Sequence, residues 1–111
     1  MKPIIEYADF EKLDLRVGKV ILATLPEWSN KLIEMKVDFG SEIGQKTIFA
    51  GIRKFVNIEN ILNKKFVFVI NLAERKLGQG ISQGMMLVAS DDSIHCSLAV
   101  CDQIAPGSAI R

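Results

Sequence analysis

Residues 46–70 read K-T-I-F-A-G-I-R-K-F-V-N-I-E-N-I-L-N-K-K-F-V-F-V-I, and the order of elements within them decides the fold. Lys46-Thr47-Ile48-Phe49-Ala50-Gly51 has the composition of a strand closed by a glycine. A short helix is predicted over residues 58–63, because Asn57 can cap it and Glu59 sits in its first turn, where a carboxylate favours the helix dipole. Phe66-Val67-Phe68-Val69-Ile70 then joins two aromatic to three β-branched residues with no polar break, the pattern of a strand covered on both faces.

Strands also flank this unit. Upstream, residues 13–20 alternate apolar and polar and run on into Ile21 and Leu22, which predicts a long strand bent at Gly18 through a bulge or a close backbone approach. Ile33-Glu34-Met35-Lys36-Val37-Asp38-Phe39 alternates strictly with period two, and its spacing from the strand after the 41–45 loop predicts a hairpin. Asp9 is expected to cap one helical turn through Glu11 and Lys12. Downstream, residues 85–89 and 95–100 read as two further strands. Short strands with one or two helical turns give a small barrel or a sandwich, and the helix between the third and fourth strands lies where an OB-fold has its helix. The chain is therefore read as all-β: an OB-fold, a five-stranded antiparallel Greek-key barrel with short helices and extra N- and C-terminal segments.

A length of 111 residues and a mass of 12.3 kDa suit one domain, taken as residues 1–111. With 49% hydrophobic and 24% charged residues the chain can build a core of its own, which excludes disordered, collagenous and coiled-coil classes. The mean hydropathy of +0.22 is slightly high, which fits apolar surface buried against a partner subunit. The five-residue apolar run at 66–70 is far short of the roughly 20 that span a membrane. No membrane partner is expected, the start lacks the features of a secretion signal, and the protein is read as cytoplasmic. Cys96 and Cys101 are then expected to be reduced and buried; with one His95 they do not supply the four ligands of a zinc site within one chain, and a His95–Cys96 metal pair across a dimer axis is the lesser alternative to a structural role.

The net charge of +1 hides an uneven distribution. Residues 53–76 carry Arg53, Lys54, Lys64, Lys65, Arg75 and Lys76 against Glu59 and Glu74, a local balance of +4. Such a segment serves a salt-sensitive phosphate binder, since binding follows local counterion release; it also fits a solvated basic surface. Catalysis is harder to assemble. Only His95 could serve a triad, Cys96 beside it would point to the opposite face of a strand, and no P-loop or dinucleotide fingerprint occurs. No enzyme and no cofactor are expected.

The chemically richest segment is residues 71–87, N-L-A-E-R-K-L-G-Q-G-I-S-Q-G-M-M-L. A buried strand runs out into a loop with two adjacent cations, glycines that let backbone approach a ligand, a hydroxyl, an amide and a methionine. Arg75 can fork two N–H groups onto a phosphate, and Lys76 adds a point charge. Ser82 can donate to phosphate, sugar or base, and Met85 offers an apolar wall for a base. Each residue also has a purely structural reading: Lys76 as a solvated cation, Met85 as core, and Ser82 as a partner for turn backbone.

In these residues the chain resembles the stand-alone tRNA-binding proteins that share an OB-fold with the C-terminal extension of methionyl-tRNA synthetase and with CsaA-type secretion chaperones. Phe10 to Val20, F-E-K-L-D-L-R-V-G-K-V, is similar to the family's first strand. Ser29-Asn30-Lys31-Leu32 and Ala50-Gly51-Ile52 match two further elements. Asn71-Leu72, Arg75-Lys76-Leu77 and Ser82-Gln83-Gly84-Met85 match the signature N-L-x-x-[R/K]-[R/K]-x-x-G-x-x-S-x-G-M, and Pro106-Gly107 matches the closing turn. There are departures: Glu74 stands where the family usually has proline, and Gln79 replaces the glycine four residues after the arginine. Trp28 lies outside the pattern and could stack on a nucleotide or cover the barrel mouth.

The resemblance implies that Asn30, Lys31, Arg75, Ser82 and Met85 line an RNA site, with Arg53, Lys54, Lys76 and Gln83 in support. It implies tRNA as the partner, gripped by its folded shape by a homodimer with little dependence on the amino acid carried, and an accessory relation to methionyl-tRNA synthetase. The CsaA-type branch implies unfolded preprotein segments instead. Asp38-Phe39-Gly40-Ser41-Glu42-Ile43-Gly44 looks like that branch, whereas Ser82-Gln83-Gly84-Met85 looks like the tRNA-binding branch.

Overall fold

The computed structural model describes all residues from Met1 to Arg111. One antiparallel sheet curls into a nearly closed barrel. Its strands are β1 (Leu15–Thr24), β2 (Ile33–Asp38), β3 (Gln45–Ala50) and β4 (Lys65–Val69), together with the two-residue β7 (Met85–Met86) and β10 (Ala109–Ile110). The order is β3-β2-β1-β4-β7, with β10 added to the start of β1. This is the OB-type arrangement predicted above. β1 serves two neighbours: Leu15 to Lys19 pair with β4, and Lys19 to Thr24 pair with β2.

The interior follows from alternation. Ile33, Met35 and Val37 of β2 point inward and are fully buried, while Lys36 between them faces water. Phe39 and Phe68 meet edge to face at 5.4 Å, and Val20, Ile48, Ile52, Phe66 and Met86 fill the remaining space. A side chain at Gly18 would collide with the side chains of Val37, Phe39 and Phe68, so the space this glycine leaves is taken by core side chains and not by the approaching backbone expected there. The bulge lies further on, between Val20 and Leu22. No helix is long and apolar enough to cross a membrane.

Several predicted elements are displaced. The N-terminal turn α1 is Tyr7–Phe10, with Glu6 as N-cap; Asp9 is its third residue, and its carboxylate accepts the Glu6 N–H at 3.2 Å. A helical turn, α2 (Gly40–Ile43), occupies part of the 41–45 loop. The helix between β3 and β4 is a single 3₁₀ turn, Ile58–Asn60, and Asn57 precedes it without a side-chain capping bond. Residues 71–84, read as an open loop, fold into a hairpin of β5 (Arg75–Leu77) and β6 (Gly80–Ser82). The strand predicted over 85–89 divides into β7 and β8 (Val88–Ser90), and β8 pairs with β9 (His95–Ser97). Cys96 and Cys101 lie exposed on the surface, both as free thiols, contrary to the expected burial.

Candidate nucleic-acid interface

The β5–β6 hairpin presents the paired cations. Arg75 lies opposite Ser82, Lys76 opposite Ile81, and Leu77 opposite Gly80. Opposed residues share a face, so Lys76 and Ile81 project together on the side away from Ser82. Both are exposed, and neither Arg75 nor Lys76 pairs with a carboxylate; the molecule's ion pairs are Lys12–Asp9 and Arg16–Asp14. Met85, 43% exposed, follows on β7 opposite Val69.

Ser82 and Gln83 are placed differently. Ser82 is 3% exposed, and its hydroxyl faces the edge of β3. The Phe49 N–H donates to Ser82 Oγ at 3.0 Å, and that hydroxyl donates to the Gly84 carbonyl at 2.8 Å. Gln83 continues the seam. Its N–H donates to the Thr47 carbonyl at 2.8 Å, and its side-chain oxygen accepts the Thr47 N–H at the same distance. The two side chains thus stand in for strand backbone where β3 meets the end of the hairpin, and they close the barrel. Gln83 Nε2 also donates to Glu74 at 3.4 Å, which draws that carboxylate toward the seam.

The glycines of the hairpin serve packing between protein parts. Gly78 has φ of +59°, and a Cβ there would lie 2.5 Å from the Trp28 ring. A Cβ on Gly80 would collide with the tip of the Phe49 ring, at Cζ and its two Cε neighbours. Trp28 and Phe49 pack together with centroids 5.7 Å apart, so the hairpin lies flat over this aromatic pair. Trp28 is therefore held as a cover, half-buried, and it joins the hairpin to the loop that carries Asn30 and Lys31.

Arg53 secures that loop. Its guanidinium donates to the Pro26 carbonyl at 2.9 Å and also to the Ser29 carbonyl, while Ser29 Oγ accepts the N–H groups of Lys31 and Leu32 at 3.2 Å. Arg53 is thus bound to protein backbone, and Asn30 and Lys31 stand exposed beyond it. Lys31 and Lys54 line a groove of about 320 Å³ with Leu32, Gly51, Phe55 and His95. Phe55 and His95 touch, with ring centroids 4.5 Å apart. His95 reaches this place from the β8–β9 hairpin, whose turn is closed by Asp91. The Asp91 carboxylate accepts the Ser93 N–H at 2.8 Å, the Ile94 N–H at 2.9 Å and the Ser93 hydroxyl at 3.0 Å. These bonds, the Ser93 N–H foremost, hold its pKa below the ordinary carboxylate value.

Among the nine residues singled out from sequence, Asn30, Lys31, Lys54, Arg75, Lys76 and Met85 are exposed, while Arg53, Ser82 and Gln83 are engaged with the protein. Ile81, Phe55 and His95 were not singled out. Ile81 was readable only once the hairpin register was known, and the contact of Phe55 with His95 joins positions 40 apart in sequence. The signature Asn71 is also structural: it accepts the Asp14 N–H and donates to the Lys12 carbonyl, both at 2.7 Å. No group of three or more His, Cys, Asp or Glu side chains is arranged to hold a metal ion.

Comparison with known proteins accords with this geometry. The family described as "Putative tRNA binding domain" matches residues 15–109. A methionine–tRNA ligase of Xylella fastidiosa (strain M12) is 44% identical over 98% of this chain, which spans only 16% of that protein's length. A MetRS-related protein from Pyrococcus horikoshii superposes with a TM-score of 0.92 at 31% identity, covering 99% of this chain and 100% of the other. The chaperone CsaA from Bacillus anthracis gives 0.89 at 27% identity, covering 98% and 100%.

Proposed function

The chain belongs to the tRNA-binding domain family, and we propose that it binds folded tRNA by shape, as a homodimer, without catalysing a reaction on it. The observation that carries this reading is the unpaired charge. In the +4 segment Arg53 and Lys65 donate to backbone carbonyls, which leaves Lys54, Lys64, Arg75 and Lys76 free of any carboxylate or carbonyl partner. Four cations without a direct partner, on a protein of net charge +1, favour a polyanion through counterion release. Each subunit makes few contacts, so two sites held rigidly together raise the apparent affinity without a new type of contact. Support for a second subunit comes from the apolar groove of Val17, Val100, Cys101, Ile104 and Ile110. An accessory relation to methionyl-tRNA synthetase, in the cytoplasm, rests on the similarity to the ligases.

Titration of folded tRNA at several salt concentrations tests the reading. Affinity falls with salt, and Arg75→Ala weakens binding and lowers the slope by about one. Equal binding of folded and unfolded tRNA refutes shape recognition, and a sedimentation mass near that of one 12.3 kDa chain refutes the dimer. A second reading follows from the likeness to CsaA: binding of unfolded preprotein segments. Saturable peptide binding that persists at high salt, with no competition from tRNA, would favour it.

A further inference from the structure

Seven of the eight glycines have a reason internal to the protein. Gly18, Gly80 and Gly84 are crowded by neighbours, and Gly40, Gly44, Gly78 and Gly107 have positive φ. Gly51 has neither: its φ lies outside the left-handed region, and a Cβ built on it meets nothing within 4 Å. It borders the groove of about 320 Å³ whose walls are Phe55, His95, Leu32, Lys31 and Lys54. Its missing side chain keeps that groove open.

The walls state what the space is for. Phe55 is 41% exposed and carries His95 against it, an aromatic surface left wet at the edge of the molecule. Two ammonium groups flank it, no carboxylate lines it, and neither lysine has an ion-pair partner elsewhere. The volume is at the low end for ligand pockets, suited to a single small group. An aromatic face beside unpaired cations is the arrangement that receives an unstacked base with its phosphate. We propose that this groove takes one unpaired nucleotide of the bound RNA, its base against Phe55 and His95 and its phosphate toward Lys31 and Lys54. The proposal rests on the tRNA-binding reading and assigns a part to the groove that charge alone does not.

Gly51→Leu fills the groove from a position where the backbone and its neighbours tolerate a side chain, and Phe55→Ala removes the platform from the other wall. Both are titrated against a folded tRNA and a fully paired RNA duplex, with circular dichroism melts to show that each variant is folded. Each should bind tRNA roughly 5- to 150-fold more weakly, the range for losing one stacked base, and bind the duplex within about twofold of the parent protein. The salt slope should be unchanged in both and reduced by about one in Lys54→Ala. If both groove variants bind tRNA like the parent protein while Arg75→Ala binds weakly, the groove assignment is overturned and the tRNA reading stands. If the parent protein binds no tRNA, both fall. An unstructured acidic peptide is the third probe: if Gly51→Leu abolishes its binding and spares tRNA, the groove is a peptide site and the proposal is overturned.

Discussion

Ser82→Ala separates a residue that touches RNA from one that holds the barrel shut. The substitution removes one oxygen, which accepts the Phe49 N–H at 3.0 Å and donates to the Gly84 carbonyl at 2.8 Å in a site 3% exposed. Alanine leaves the Phe49 N–H buried without a partner, at a cost of about 1–3 kcal/mol, and the lost donation to Gly84 adds about 1 kcal/mol. The expected loss is therefore about 2–4 kcal/mol, a large share of the roughly 5–15 kcal/mol typical of a domain. With about 2.1 cal/mol/K of unfolding entropy per residue, a chain of 111 residues loses roughly 4 °C of Tm per kcal/mol, so the melting point should drop by about 9–17 °C. Thermal and urea unfolding measure this directly. Titration with tRNA, well below the lowered Tm, should give an affinity within about twofold of the parent, because the hydroxyl does not face solvent. A variant that melts within about 2 °C of the parent but binds tRNA ten times more weakly would show that the hydroxyl faces the ligand and that the barrel closes without it.

Further expectations concern the elements that flank the site. Gly80→Ala drives a methyl into the Phe49 ring, so stability should fall by about 1–3 kcal/mol; lifting the hairpin from Trp28, the one tryptophan in the chain, should shift its fluorescence to longer wavelength. Unchanged emission together with unchanged stability would show that the hairpin does not lie over the aromatic pair. Asp91 has a depressed pKa in the folded protein, so its contribution is complete above its unfolded value and is lost as pH falls through the folded one. Asp91→Ala should therefore open the β8–β9 turn at neutral pH, seen as faster amide exchange at Ser93 and Ile94, and should abolish the part of the acid sensitivity of those amides that Asp91 supplies. Exchange equal to that of the parent at both pH values would exclude the turn assignment.

The barrel was legible where one face of a strand meets one environment. Period-two alternation in Ile33 to Asp38 marked the buried face of β2 residue by residue, and the apolar run at 66–70 marked the central β4. Where an element is shorter than the pattern that reveals it, the reading failed. β5 and β6 have three residues each, too few for alternation to appear, and the glycines between them suggested an open loop. Those glycines are required by Trp28 and Phe49, partners about 50 and 31 residues away in sequence. The cysteines failed for a related reason. An apolar neighbourhood in sequence implied burial, but residues 94–104 lie on the outside of the barrel, where Ile94, Leu98 and Ile104 are exposed too.

Within the candidate site the division is chemical. Cations with no protein partner could be recognised from composition, because few carboxylates lie near them in sequence, and Arg75, Lys76 and Lys54 are indeed unpaired. Groups that both donate and accept could not be assigned in the same way. A serine hydroxyl or glutamine amide satisfies an RNA phosphate or an orphaned backbone group equally well. Only the position of the β3 edge shows that Ser82 and Gln83 do the second. The signature segment therefore carries two functions: polar groups turned to the β3 edge that close the barrel, and exposed cations and apolar side chains that the closed barrel holds in fixed relation. Loss of an inward group should lower stability and leave affinity nearly unchanged below the new melting point, whereas loss of an outward cation should change affinity and its salt dependence alone.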